Sequence, residues 1–207
     1  MKSRKLEILV LVSLVAMTFA SLASAAAEET TYHFGTSPKN TNVTFESETD
    51  FETILGSTRE IRGTAVVDFD GGSAKTTLEI PVESLRTGID LRDEHLRSGM
   101  WLDAKKYPTI SFASTGARKV DDTHWEVSGT FSMHGQSHEI STTVEVRPIP
   151  GNVAKQAGLG KGDWIRITAP FEVKLSDFGV TIPKKPAQRV NDTWKIKIQA
   201  FASTSAG

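Results

Sequence analysis

Apolar and polar residues alternate along most of this chain. "TNVTFESET" alternates through Val43 and Phe45, "EIRGTAVVDF" through Ile61, Gly63, Ala65, Val67 and Phe69, and "AKTTLEIPV" through Leu78 and Ile80. "TISFAS" carries Ile110 and Phe112, and "HWEVSGTFSM" carries Trp125, Val127, Gly129, Phe131 and Met133. "EISTTVEV", "WIRITAPFEVKL" and "TWKIKIQAFA" continue the pattern through Ile140, Ile167, Phe171 and Ile198. A period of two puts the apolar set on one face of a strand and Lys, Glu, Thr and Ser on the other. The pattern therefore predicts eight strands. Turn residues stand between them: "DGG" at 70–72, "DD" at 121–122, "HGQ" at 134–136 and "ND" at 191–192. The Gly/Pro-rich stretch 147–163 reads as a loop within one domain.

Eight antiparallel strands with one apolar face make a sandwich or a closed barrel. A barrel removes exposed edges, and none of these runs carries edge defences. The expectation is an all-β, eight-stranded antiparallel barrel with a short capping helix. Gly63, Ala65, Gly129, Ala169 and Ala200 fall in the inward phase among large residues. They leave room for a ligand, or they fit the taper and bending of the strands. Pattern alone leaves both open.

One segment breaks the period. "RDEHLRSGMWLDAKKYP" (92–108) gathers Arg92, Asp93, Glu94, His95, Arg97 and Asp103. A short helix explains most of this. Asp90 is a candidate N-cap with Asp93 three residues on. Asp93 and Glu94 suit a helix start, and Arg97 suits its end and pairs with Glu94. Gly99 suits a left-handed C-terminal position. Pro108 forces Tyr107 to be extended and marks a strand entry. Leu91, Leu96, Met100, Trp101 and Leu102 would then lean over the barrel opening. Arg92, His95 and Arg97 are the nearest basic candidates for a ligand headgroup at that mouth.

Other chemistry finds less support. His95 with Asp93 or Glu94, joined by His134 or Asp177, is the candidate acid–base set for a hydrolase or other enzyme. Yet the chain has no nucleophile elbow, paired-carboxylate motif or phosphate loop. His134 and His138 as a metal or haem pair would need helical spacing, and a turn lies between them. No catalytic residue, metal site or cofactor is expected. A solid-core structural module is the remaining alternative.

Three ordered segments carry a resemblance. "LRTGIDLRDEHLRSGMWLDAKKYPTISFAS" (85–114), "VSGTFSMHGQSHEISTTVEV" (127–146) and "AGLGKGDW…LSDFGV" (157–180) resemble the signatures of the YceI-like family of exported lipid-binding proteins. The likeness spans about 32 to 204. Two departures are visible: "HGQSHEI" lacks the proline of the family's usual hairpin, and the tail after Pro183 is locally basic. The resemblance implies a lipocalin-like barrel holding a polyisoprenoid or similar long-chain amphiphile, without enzymatic activity, often as a homodimer. By phase, the expected chain contacts are Val43, Phe45, Ile61, Val67, Phe112, Val127, Phe131, Ile167, Phe171 and Ile198.

Composition narrows the setting. Lys2, Arg4 and Lys5 precede an apolar run from Ile8 to Ala20, and Ala23-Ser24-Ala25 fits a small-residue cleavage site. Residues 1–25 thus read as a secretory signal peptide, cut after Ala25 or Ala27. The run is shorter than the roughly 20 residues a spanning helix needs. Residues 28–207 are expected to form one periplasmic or secreted bacterial domain, with no integral membrane segment. The whole chain holds 24 basic and 25 acidic residues. That balance offers no field for nucleic acid. There is no cysteine, so stability in an oxidising compartment rests on the core.

Overall fold

A computed structural model of the chain describes residues 28–37, 39–182 and 189–206. The expected signal peptide and residues 184–188 of the basic tail lie outside the described residues.

Among the described residues ten strands form in chain order: β1 (Thr30–Phe34), β2 (Asn42–Glu48), β3 (Thr53–Thr58), β4 (Arg62–Asp68), β5 (Ser73–Pro81), β6 (Thr109–Lys119), β7 (His124–Met133), β8 (Gln136–Ile149), β9 (Trp164–Lys174) and β10 (Thr193–Ser203). Helix α1 (Asp90–Arg97) follows β5, and α2 (Gly151–Gln156) follows β8. All pairings are antiparallel. The order β1-β4-β5-β6-β7-β8-β9-β10 closes on itself, because His33 and Phe34 pair with Ser203 and Ala202. The result is an eight-stranded barrel.

Its membership differs from expectation in one place. The strand predicted first, around Val43 and Phe45, is β2. It pairs with β10 and β3 but lies outside the closed circuit, as half of an added hairpin. The eighth barrel strand is β1, a five-residue segment that closes the wall. The stretch 147–163, expected to be loop, also holds the end of β8 and the single-turn-scale α2.

The strands are shaped where local chemistry interrupts the ladder. β6 carries one extra residue near Ser114–Thr115 against both neighbours. Ser114 Oγ accepts the Thr76 N–H at 2.8 Å in place of a ladder partner. A bulge of this kind shifts the inward phase by one. Ile110 and Phe112 face in before it, and Ala117 after it. Gly129 serves packing: a Cβ there would stand 2.5 Å from the Phe112 ring. His134 (φ 52°) and Gly135 (φ 76°) form the two-residue β7–β8 turn, both left-handed as a type I′ turn requires.

The α1 segment covers one end of the barrel. Leu96 and Leu102 are buried in the core and Trp101 packs against it. Leu91 and Met100 do not join them: they are 61% and 59% exposed. The helix start also differs from expectation. Ile89, not Asp90, is the N-cap, with no side-chain cap. Asp93 instead reaches back to Thr87, accepting its N–H at 2.6 Å and its hydroxyl at 2.5 Å. The helix ends on extended Ser98, so Gly99 is not needed as a left-handed cap.

Candidate functional site

The inward faces of the barrel strands enclose a cavity of about 100 Å³. Phe34 of β1 and Ala65 and Val67 of β4 line one side. Ala74, Thr76, Leu78 and Ile80 of β5 and Ile110, Ser111, Phe112 and Ala117 of β6 continue the wall. Trp125, Val127 and Phe131 of β7, with Ile140, Thr142, Val144 and Val146 of β8, face them. Ile165, Ile167, Ala169 and Phe171 of β9 and Ile198 of β10 complete it. Among the described residues no charged side chain lines the cavity.

Seven of the ten expected contact residues line this cavity: Val67, Phe112, Val127, Phe131, Ile167, Phe171 and Ile198. Val43, Phe45 and Ile61 are buried but do not line it. Val43 and Phe45 sit on β2, outside the barrel circuit. There the Phe45 ring stacks on Trp194 at 5.1 Å and leaves no space for a Cβ at Gly56. Ile61 precedes β4 and fills the core below it. Phase does not pick out Phe34, because β1 is short, or Ala117, because the β6 bulge resets register; Ala74 and Thr76 keep the phase of Leu78 and Ile80 but are small or polar.

The basic residues of the α1 segment are turned elsewhere. Arg92 Nε donates to Thr87 Oγ1 at 2.8 Å and its Nη2 to the Thr87 carbonyl at 3.1 Å. Arg97 donates to the Leu85 carbonyl and pairs with Glu83 at 3.4 Å, rather than with Glu94. His95 is exposed. None of the three lines the cavity.

The barrel wall is not continuously laddered. β8 and β9 pair from Glu145↔Thr168 to Ile149↔Trp164 and part beyond that. Pro170 marks the parting: it has no N–H to donate. The Thr142 hydroxyl, on the other side of the gap, donates to the Pro170 carbonyl. A 3₁₀ turn, Leu175–Phe178, packs over the parted strands. His134 Nδ1 meets the Phe178 carbonyl at 2.9 Å, and His138 Nε2 meets the Asp177 carbonyl at 2.9 Å. The two histidines of the hairpin therefore clip this turn, each on its own carbonyl. Phe178 lies edge-on to Phe131 of the cavity wall at 5.5 Å.

An apolar bore inside a closed antiparallel barrel can hold a hydrocarbon chain and offers no arrangement of acid, base and nucleophile. Among the described residues no group of three metal-ligating side chains occurs, and no helix is long and apolar enough to cross a membrane. The YceI-like domain model matches residues 34–202. The chain belongs to the YceI-like family. It is 30% identical over 187 residues to Protein YceI of Salmonella agona, covering 86% of this chain and 91% of that protein. It is 29% identical to Protein YceI of Escherichia coli O6:H1, covering 87% and 93%. The YceI-like barrel also matches solved structures. BcnA of Burkholderia cenocepacia superposes with a TM-score of 0.68 at 19% identity, covering 80% of this chain and 98% of that one. A polyisoprenoid binding domain from Saccharophagus degradans superposes with a TM-score of 0.60 at 16% identity, covering 84% and 98%.

Proposed function

We propose that this YceI-like protein binds a polyisoprenoid, or a similar long-chain amphiphile, inside its barrel, and is a carrier or store rather than an enzyme. The observation that carries the reading is the uncharged cavity lined from all eight barrel strands. Membership of the YceI-like family supports it, as does the likeness of fold to a domain described as polyisoprenoid binding.

The energetics favour a chain. Each buried CH2 contributes roughly 0.8 kcal/mol. Micromolar binding needs about −8 kcal/mol beyond association costs of several more. Three or four isoprene units would bury enough carbon once the side chains of the wall move apart to widen the bore beyond its roughly 100 Å³, so chain length rather than headgroup sets affinity. Val67, Phe112, Val127, Phe131, Ile167, Phe171 and Ile198 make the chain contacts. The parting of β8 and β9 under Phe178 is the route by which the chain enters. The leader sends the protein out of the cytoplasm, to the periplasm or beyond, where it meets membrane-derived lipid.

Incubation of the purified, delipidated protein with radiolabelled polyprenol tests this. Saturable uptake at one chain per barrel is expected. No uptake, together with no extractable lipid in freshly purified protein, would overturn it.

A further inference from the structure

Three tryptophans are buried, and two of them have partners for the indole N–H. Trp164 Nε1 donates to the Lys161 carbonyl at 3.1 Å, and Trp194 Nε1 to the Asn191 carbonyl at 3.0 Å. Trp125 differs. It is 2% exposed, it lines the cavity, and among the described residues its Nε1 has no hydrogen-bond partner. Buried polar groups are nearly always paired, and an orphan in a folded protein calls for a specific cause. The indole N–H is a donor only, so its missing partner is an acceptor.

The surroundings restrict that acceptor further. Trp125 opens β7, next to the 121–124 turn and at the end of the barrel away from α1. In the strand register Lys119 lies opposite Trp125, and Ala117 opposite Val127. Ala74 and Ala117 line the same end of the cavity. Thr76 adds a hydroxyl to the wall. Among the described residues no cation lines the cavity, so a phosphate or carboxylate there would be a buried charge without a partner among them, which is prohibitively costly.

We infer that Trp125 Nε1 is the polar anchor of the binding site: it donates a hydrogen bond to a neutral oxygen acceptor, a carbonyl above all, carried at the inner end of the bound apolar chain. The inference rests on the proposed lipid binding and deepens it. It places the polar end of the ligand opposite the α1 mouth, away from Arg92, His95 and Arg97, and it excludes a charged group from that inner end.

Two probes separate this from lipid binding as such: farnesylacetone, a ketone, and the matching hydrocarbon with CH2 in place of the carbonyl. Both are titrated into the wild type and into Trp125→Phe, which keeps an aromatic ring but no N–H. The wild type is expected to prefer the ketone, and Trp125→Phe to lose about tenfold on the ketone while holding the hydrocarbon unchanged. Equal losses on both probes, or none, overturn the anchor while leaving lipid binding intact. That is the result if the indole edge merely rests against the Phe69 ring, 6.0 Å away. Binding of neither probe by the wild type overturns both readings. Should Trp125→Phe fail to fold, infrared spectroscopy of carbon-13 farnesylacetone on the wild type decides. A carbonyl stretch lowered on binding supports the hydrogen bond, and a stretch at its alkane-solution position contradicts it.

Discussion

Asp93 accepts two hydrogen bonds from one residue, Thr87: from the backbone N–H at 2.6 Å and from the hydroxyl at 2.5 Å. Asp93 is 3% exposed, and Arg92 closes the arrangement by donating to the same Thr87 hydroxyl and to the Thr87 carbonyl. The charge cluster of the α1 segment is thereby tied to the approach to the helix. Asp93→Ala leaves the Thr87 donors unmet and is expected to destabilise the fold by about 1–3 kcal/mol. Polyprenol affinity at a temperature where the variant is folded should be unchanged. Urea denaturation and a binding titration on the same sample check both parts. A large loss of affinity at full stability would place this cluster at the ligand.

The cavity and the β2 core separate by substitution. Ala169 lines the cavity, whereas Phe45 is buried outside it. Ala169→Leu fills the bore, so it should abolish chain uptake while shifting stability by no more than the roughly 1–3 kcal/mol of an overpacked site. Phe45→Ala should do the reverse. It costs about 3–5 kcal/mol as a core truncation and leaves affinity intact. The crossed pattern of melting temperature against affinity is the readout.

The clip over the β8–β9 gap bears on rate rather than affinity. His138→Ala frees the Asp177 carbonyl and one side of the Leu175–Phe178 turn. Stopped-flow uptake and release of a fluorescent polyene should both accelerate several-fold, with little change in their ratio. Unchanged rates would move the entry route elsewhere.

The 121–124 turn predicts an acid-dependent term. Backbone N–H groups of Thr123 and His124 hold the Asp121 carboxyl at about 2, below its ordinary value of 3.8. A carboxyl whose pKa falls on folding stabilises above its unfolded pKa and loses that stabilisation as pH drops through the folded one. Asp121→Asn should therefore be less stable than wild type above about pH 4, and the gap should shrink toward pH 2. Paired denaturation curves across that range provide the check.

The barrel was largely legible in the sequence because alternation survives in β4 to β10, and each has its pairing partner nearby. Alternation does not say which strands close the ring. Val43 and Phe45 obey the period as well as Val67 does, yet β2 is an added strand and the five residues of β1 complete the circuit. Nor does it show a bulge, so Ala117 came into the cavity through the extra residue near Ser114. In the α1 segment local spacing favours Asp90 as a cap. The contacts that form link Asp93 to Thr87 and Arg97 to Glu83, outside the helix's own first and last turns. The solitary N–H of Trp125 had no signature at all, because a missing partner exists only in three dimensions.

Native mass spectrometry of the protein purified from its own host, beside Ala169→Leu prepared in the same way, tests the central claim most directly. The account predicts a one-to-one adduct with the mass of a long-chain isoprenoid on the wild type, absent from the filled-bore variant. Wild-type protein that carries no lipid and takes up none on incubation, or an adduct that persists undiminished in Ala169→Leu, would contradict it.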